Sequence, residues 1–158
     1  IKITIMINIR QGQKADLPII LELIRELADY EKSLNQVTIS LQQLERDGFN
    51  DHPLFAFLVA EQNEKIIGMA LYYTTYSTWV GQCLFLEDLI VTKKMRNKGV
   101  GSMLFKAIIK IAAEKNMNRL MWQVLDWNKS AINFYKKHGA KIQGDWLNVR
   151  LTKLNTLF

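Results

Sequence analysis

The segment LEDLIV at residues 86–91, followed by RNKGVG at residues 96–101, decides the fold of this chain. The first segment reads as an apolar strand that two acidic residues interrupt, and the second as a glycine-containing turn that leads into a helix. The first backbone N–H groups of a helix have no partner within it and lie at the positive end of the helix dipole. The arrangement therefore predicts a phosphate site, with an ordinary helix start as the alternative.

Apolar residues after the glycine turn recur at the spacing of one helical face. They are Val100, Met103, Leu104, Ala107, Ile108 and Ile111, and they predict a helix. A dinucleotide-binding fold would require Gly or Ala at position 104 and an acidic residue at the end of a strand about twenty residues later. The chain has Leu104 and lacks that acidic residue, so the sequence does not favour a Rossmann fold.

The same patterns predict the other elements of the chain. Strands are predicted at residues 6–10, 55–61, 65–74, 83–91, 119–125 and 146–152, and helices at residues 16–30, 40–47 and 129–138. Asp16 and Asn128 are predicted N-caps, and Gly139 is the predicted left-handed residue after the last helix. A hairpin that precedes a β-α-β-α-β run predicts an α/β (α+β) fold, in which helices flank a mixed sheet.

Composition predicts one globular domain over residues 1–158. The chain is 49% hydrophobic and has no linker rich in proline, glycine or serine. Its longest apolar run, residues 66–73, is far shorter than the ~20 residues that cross a bilayer, and no signal segment opens the chain. We therefore expect a cytoplasmic protein with no membrane partner. With one cysteine, Cys83, and two histidines, we expect no metal site.

The net charge of +6 favours anionic partners. Basic residues concentrate around the glycine turn, at Lys93, Lys94, Arg96 and Lys98, and again at Lys136 and Lys137. A small polyanionic cofactor explains this placement better than a nucleic-acid duplex, which needs a basic face with several phosphate contacts. An ordinary solvated face is the alternative. We expect no nucleic-acid partner.

Two adjacent carboxylates, Glu87 and Asp88, interrupt the apolar strand. Neighbouring strand residues point to opposite faces of a sheet, so at least one carboxylate lies on a covered face unless a bulge intervenes. Burial of a carboxylate without a partner is costly. The pair therefore indicates a functional role.

Further polar and aromatic residues are candidates for the same chemistry. Tyr135 lies two helical turns after Asn128 and fits a core tyrosine as well as a functional one. Acidic and aromatic residues occur together at Tyr30, Glu31, Tyr76, Trp79, Asp145 and Trp146. Carboxylates beside aromatic faces suit an ammonium ligand, through ion pairing and cation–π contacts.

The sequence as a whole resembles the GCN5-related N-acetyltransferase (GNAT) family, and within it the spermidine/spermine (diamine) and thialysine acetyltransferases. The likeness rests on IRELADYE at 24–31, DGF at 47–49 with His52 and Pro53, LED at 86–88, the R-x-x-G-x-G-S pattern at 96–102, and WNKSAINFY at 127–135. The resemblance implies the GNAT fold with a mixed, mostly antiparallel central sheet. It also implies acetyl-CoA as cosubstrate, direct transfer to a primary amine of a small cationic molecule, and a homodimer.

The resemblance also implies roles for individual residues. Strand-like hydrogen bonds from residues 89–91 would hold the pantetheine arm, and the amides of residues 97–102 would hold the pyrophosphate. The implied cofactor-binding residues are Leu89, Ile90, Val91, Arg96, Asn97, Lys98, Gly99, Val100, Gly101, Ser102, Asn128, Ser130 and His138. The implied substrate-binding residues are Tyr30, Glu31, Trp79, Glu87, Asp88 and Asp145. Tyr135 is the implied catalytic acid.

Physical chemistry agrees with two catalytic roles. An alkylamine with a pKa of about 10.4 is about one part in a thousand neutral at pH 7, so it must lose a proton in the site or arrive neutral. Glu87, acting directly or through water, is our candidate for this catalytic base. A phenol, whose pKa in free tyrosine is near 10, can protonate a departing thiolate, so Tyr135 suits the role of acid. A strand amide near Leu89 can stabilise negative charge on the thioester oxygen.

One departure from the family pattern concerns the acceptor. The polyamine enzymes have an acidic residue and a proline before the tryptophan that corresponds to Trp79, whereas this chain has Ser77 and Thr78. Loss of a negative group weakens the case for a long polyamine and leaves a shorter diamine or a lysine-like amine open. The alternatives are acetylation of a protein lysine or N-terminus, and a non-catalytic acyl-CoA-binding module.

Overall fold

The structure is a computed structural model that describes residues 6–154. Contacts divide the chain into two compact units, with the boundary between Gln123 and Val124. The prediction of a single domain over residues 1–158 stays a prediction, and its residues 1–5 and 155–158 lie outside the described residues.

The first unit contains the sheet and most of the helices. Its strands are β1 (Asn8–Gln11), β2 (Ala56–Gln62), β3 (Lys65–Ser77), β4 (Gly81–Val91) and β5 (Arg119–Met121). Its α-helices are α1 (Leu17–Tyr30), α2 (Leu41–Gly48) and α3 (Val100–Glu114), and short 3-10 turns lie at Lys14–Asp16, Leu34–Gln36 and Lys93–Met95. The predicted strand at 119–125 is shorter than expected and ends at Met121.

The strands of the sheet lie in chain order, β1-β2-β3-β4-β5. The first three pairings are antiparallel, and β4 pairs with β5 in parallel. The parallel pair follows from the connection between these strands, because a helical crossover such as α3 returns the chain in the same direction. The prediction of a mixed, mostly antiparallel sheet flanked by helices is confirmed.

Local sequence signals explain where the helices begin. Ser40 forms a capping box with Gln43, in which each residue's side chain accepts a hydrogen bond from the other's backbone N–H, at 3.2 and 2.9 Å. Helix α1 follows Asp16 as predicted, with Pro18 in its first turn. The Asp16 carboxylate does not cap α1, because it accepts hydrogen bonds from the Gln13 N–H at 2.7 Å and from the Arg10 guanidinium at 2.8 Å.

Apolar side chains of α1 and of the sheet form one core cluster. Leu17, Ile20 and Leu23 of α1 pack with Val59, Met69, Leu71 and Ile90. The predicted apolar face of α3 is buried at Val100, Leu104 and Ile108, each at most 1% exposed, whereas Met103 of that face is 37% exposed. Phe105, which was not among the residues predicted for that face, is also buried. These helices are held mainly by burial of their apolar faces. Ile24 and Leu27, in the second half of α1, pack against the same cluster. The C-terminal part of α1 therefore lies against the sheet face that carries Leu71.

The second unit is organised around helix α4 (Lys129–Lys137). Its predicted N-cap is confirmed, because Asn128 Oδ1 accepts a hydrogen bond from the Ala131 N–H at 3.2 Å. Gly139 has φ +84°, as predicted for the left-handed residue after the helix. His138 is the C-cap residue, one position beyond the end of α4.

The predicted strand at 146–152 is wrong. Residues 146–152 have no strand structure, and Trp146, Leu147, Val149 and Leu151 are exposed. An alternating apolar pattern becomes a strand only when a neighbouring strand supplies backbone partners. The second unit has no strand among its described residues. Residues 146–152 therefore have no strand partner within this unit, and the alternating pattern alone does not form a strand. No helix among residues 6–154 is long and apolar enough to cross a membrane.

Candidate active site

A β-bulge lies at the two carboxylates of β4. Leu71 on β3 faces Asp88 on β4, whereas the next residue, Tyr72, faces Leu86, so Glu87 is the extra residue without a cross-strand partner. Asp88 shares the sheet face of its partner Leu71, which packs against α1. The Glu87 carboxylate lies on the same face, because it binds Tyr73, two residues beyond Leu71. The bulge therefore brings both carboxylates to one face.

The environment of Asp88 is acidic. Its pKa is raised from 3.8 to about 7, mainly by burial and then by the charges of Glu87 and Glu31. Burial also raises the pKa of Glu31, at the C-terminal end of α1. Among the described residues, no cationic side chain contributes to the shift at Asp88. The three carboxyl groups therefore form a site, hereafter the acidic cluster, that a cationic group would stabilise.

Tyr73 contacts the most exposed carboxylate of the acidic cluster. Its hydroxyl donates a hydrogen bond to Glu87 Oε2 at 2.9 Å, and its ring stacks on Phe85 with the ring centroids 5.3 Å apart. The pKa of Tyr73 is raised to about 12 by burial and by its hydrogen bond and charge interaction with Glu87. Tyr73 therefore remains a hydrogen-bond donor at neutral pH.

The turn between β4 and α3 has the geometry of a phosphate cradle. Asn97 and Gly99 both adopt left-handed backbone angles, with φ of +61° and +81°. The first helical hydrogen bond runs from the Met103 N–H to the Gly99 carbonyl at 3.1 Å, so the N–H groups of residues 100–102 precede it. No side chain caps this end of α3. A Cβ atom added at Gly99 would meet no atom within 4 Å, so the backbone there borders open space.

Helix α1 holds the turn in place through Glu26 and Arg96. Glu26 Oε1 accepts hydrogen bonds from the Lys93 N–H at 3.1 Å and from the Arg96 guanidinium at 3.4 Å. Arg96 also donates to the Val91 carbonyl at 2.9 Å and lies 5.1 Å from the centroid of the Tyr30 ring. Arg96 thus contacts three protein groups. The predicted roles of Arg96 in cofactor binding and of Tyr30 in substrate binding stay predictions.

The C-terminal half of β4 offers one backbone edge. On one side, Leu89, Ile90 and Val91 pair with Ala70, Met69 and Gly68 of β3. On the other side, β5 pairs only with Cys83, Leu84 and Phe85, so in the described part of the first unit this second edge of β4 has no strand partner beyond Phe85. Backbone amides along such an edge can bind an extended, amide-containing chain.

These features fit a CoA-type cosubstrate. The open edge of β4 suits the amides of a pantetheine arm, and the N-terminus of α3 suits a pyrophosphate. Exposed Lys93, Lys94 and Lys98 add positive charge around the turn. Ser102, in the first turn of α3, places its hydroxyl at the same helix end.

Further candidate site residues lie in the second unit. Tyr135 is 8% exposed, and its ring lies edge-on to Phe134 with the centroids 5.2 Å apart. His138 Nδ1 lies 2.9 Å from the Phe134 carbonyl oxygen. Ser130 and Asp145 are exposed. The proposed roles of Asn128, Ser130, Tyr135, His138 and Asp145 stay predictions.

Trp79 does not join the acidic cluster within the first unit. It lies in the turn between β3 and β4 and is 81% exposed, and its backbone N–H donates a hydrogen bond to Ser77 Oγ at 3.2 Å. The strand from Tyr73 to Ser77 alone spans roughly 13 Å. The substrate-binding role of Trp79 stays a prediction.

Sequence reasoning missed two residues, Tyr73 and Glu26. Tyr73 lies in a strand segment with several tyrosines, and the sequence does not show which of them contacts Glu87. That depends on the register in which β3 pairs with β4. Glu26 lies on α1, and its partners Lys93 and Arg96 are 67 and 70 positions away along the chain. No local pattern in the sequence could therefore reveal its role. No group of three or more His, Cys, Asp or Glu side chains that could hold a metal ion occurs among residues 6–154.

Comparisons with known proteins find similar sequences among acetyltransferases. A family model described as the acetyltransferase (GNAT) family matches residues 20–140. A thialysine N-epsilon-acetyltransferase of Sus scrofa is 42% identical over 141 residues, which cover 84% of this chain and 83% of that protein. A spermidine/spermine N(1)-acetyltransferase-like protein 1 of Homo sapiens is 39% identical over 140 residues, which cover 84% of this chain and 20% of that protein.

A solved structure of an aminoglycoside N-acetyltransferase in complex with CoA has the same fold. The two structures superimpose with a TM-score of 0.74 at 18% sequence identity, over 96% of this chain and 99% of the other. At this identity the likeness concerns the fold alone.

Proposed function

Because the chain belongs to the acetyltransferase (GNAT) family, we propose that it transfers the acetyl group of acetyl-CoA to a primary amine of a small cationic molecule. The observation that supports this most is the acidic cluster of Glu31, Glu87 and Asp88, in which no cationic side chain offsets the burial of Asp88. A substrate with a positive charge supplies the missing partner. The names of the thialysine and spermidine/spermine relatives point to the same class of acceptor.

Binding of the cosubstrate is assigned to the first unit. The edge of β4 from Leu89 to Val91 and the N–H groups of residues 97–102 would hold it, with Lys93, Lys94 and Lys98 as nearby cations. When bound, acetyl-CoA supplies an acyl group activated as a thioester. Backbone groups of the chain would position the cosubstrate, and the positive end of the α3 dipole would stabilise the negative charge of its phosphates.

Glu87 is the proposed catalytic base. It is the exposed member of the acidic cluster, so an acceptor amine can reach it from solvent. The amine must lose a proton before its nitrogen can attack, and a carboxylate in contact with it accepts that proton directly or through one water. Tyr135 is the proposed acid, whose hydroxyl protonates the departing thiolate. Transfer is direct, with no acyl-enzyme.

Asp88 and Glu31 are proposed to bind the positive charge at the far end of the acceptor. Ser77 and Thr78 stand where the polyamine enzymes have an acidic residue and a proline. We therefore propose a short diamine or a thialysine-like amine as acceptor. From the resemblance alone, we also propose a cytoplasmic homodimer in which the whole chain forms one domain, and sedimentation of the purified chain measures its oligomeric state.

Thiol release tests this function. Acetyl-CoA is incubated with the protein and with diamines, thialysine, lysine, polyamines or an N-terminally blocked lysine peptide, and free CoA is measured. Amine-dependent release with the small dications supports the proposal. Release with the peptide alone supports protein acetylation, and CoA binding without release with any amine supports the non-catalytic module.

A further inference from the structure

We propose that Tyr73 positions Glu87 for proton transfer, so that this tyrosine is a positioning residue for the reaction although it contacts no reacting atom. The inference rests on the proposed function, in which Glu87 is the base. The geometry that carries it is the 2.9 Å hydrogen bond from the Tyr73 hydroxyl to Glu87 Oε2.

The β-bulge explains why Glu87 needs such a contact. As the extra residue of the bulge, Glu87 has no cross-strand partner, and its side chain is exposed. A glutamate side chain loses considerable rotamer freedom when it is ordered. Without a second contact, an exposed glutamate would therefore sample many positions, few of which suit proton transfer.

Tyr73 is itself held by neighbouring groups. Its ring stacks on Phe85, its cross-strand partner, with an angle of 24° between the ring planes. Aromatic cross-strand pairs of this kind stabilise a sheet and limit the motion of both rings. The hydroxyl is therefore presented from a fixed ring on β3 to a carboxylate on a bulge of β4.

The hydrogen bond leaves the other carboxylate oxygen available. Tyr73 binds Oε2, so Oε1 can accept the proton from the ammonium nitrogen of the acceptor, while the electron pair of the broken N–H bond stays on that nitrogen. Tyr73 keeps its own proton in this step, because its raised pKa makes the phenolate unfavourable. Its contribution is orientation of the base.

A double-mutant cycle separates positioning from a purely structural role. The variants are Tyr73→Phe, Glu87→Gln and the double variant, and kcat and the acceptor KM are measured at saturating acetyl-CoA. Tyr72→Phe is the matched control, because it removes a neighbouring hydroxyl that lies 3.5 Å from Gln11 Oε1 and does not contact Glu87. Thermal midpoints of all variants report on folding.

We expect Tyr73→Phe to lower kcat about tenfold, with a change in acceptor KM of less than about threefold, and Tyr72→Phe to leave kcat within about twofold. Glu87→Gln should lower kcat about a hundredfold, and Tyr73→Phe should then have almost no further effect.

Three other results are informative. The positioning role would be overturned if Tyr73→Phe lowered kcat by the same factor in the wild-type and Glu87→Gln backgrounds. It would also be overturned if Tyr73→Phe left the kcat of the otherwise wild-type protein unchanged while Glu87→Gln lowered it strongly, and in both cases the base assignment would remain intact. Full activity of Glu87→Gln would instead overturn the base assignment in the proposed function.

Discussion

Replacement of Asp88 by asparagine should make the protein more stable and a poorer catalyst. The carboxyl group of Asp88 is partly buried beside Glu87 and Glu31, and its pKa is raised to about 7 by burial and by those two charges. A group of this kind costs stability when it is charged, and the cost is retained where the charge serves binding. Asp88→Asn removes the charge while it preserves the shape of the side chain.

The pH dependence of this effect follows from the direction of the shift. In the unfolded chain the pKa is near the ordinary 3.8, and in the folded protein it is about 7. Between these values the folded state binds a proton that the unfolded state releases, so stability falls as pH rises from about 4 to about 7 and stays lower above that range. The wild type and Asp88→Asn should therefore have similar stability near pH 4 and differ most above pH 7.

The magnitude can be bounded from the same values. A rise from 3.8 to about 7 corresponds to a penalty on the charged form on the order of 4 kcal/mol. Asp88 is only partly buried, so solvent screens part of this penalty, and the new amide also requires hydrogen-bond partners. We expect a gain of about 1–3 kcal/mol in the free energy of unfolding at pH 8.

Urea unfolding at pH 4.5 and pH 8 measures the effect, with Asp51→Asn at an exposed position as control. The acceptor KM of Asp88→Asn should rise at pH 8, because a dication loses one of its partners. A variant that is less stable than the wild type at pH 8, or a gain that is equal at both pH values, would refute the electrostatic reasoning.

Two further predictions concern the cosubstrate. Gly101→Val should raise the Kd for CoA at least tenfold, or about 1.4 kcal/mol, because a branched side chain in the first turn of α3 obstructs the phosphate site. Calorimetric titration with CoA measures this, and unchanged affinity in a folded variant would remove the phosphate assignment. Tyr135→Phe should leave stability nearly unchanged and lower kcat about a hundredfold or more, because only the acidic hydroxyl is lost. If kcat stays within about threefold while the chemical step limits the rate, Tyr135 is a packing residue.

Periodicity predicted the elements of this fold where a local signal decides the structure. Helix α3 and the capping of α4 follow from residues within a few positions of each other, and the structure has them as expected. The segment at 146–152 carries a similarly clear alternation but forms no strand, because strand formation depends on a partner that the local sequence does not reveal.

The candidate site shows the same limit at the level of single residues. The sequence identified Glu87 and Asp88 because carboxylates are unusual in an apolar strand, and it left a bulge open as one explanation. It could not show that a bulge brings both to one face, since this depends on a one-residue change in register between β3 and β4. Tyr73 was missed for the same reason, because its contact with Glu87 exists only in that register.

The most direct test of the account is acceptor specificity and its dependence on Glu31. The measurement is kcat/KM at fixed ionic strength for diamines, thialysine, spermine and a monoamine analogue that lacks the second ammonium group, with wild type and Glu31→Gln. The account predicts that the kcat/KM of a diamine or thialysine-like amine equals or exceeds that of spermine, that dications exceed the monoamine by about tenfold or more, and that Glu31→Gln narrows this gap. The monoamine or a peptide as the best acceptor, with no effect of Glu31→Gln, would contradict it.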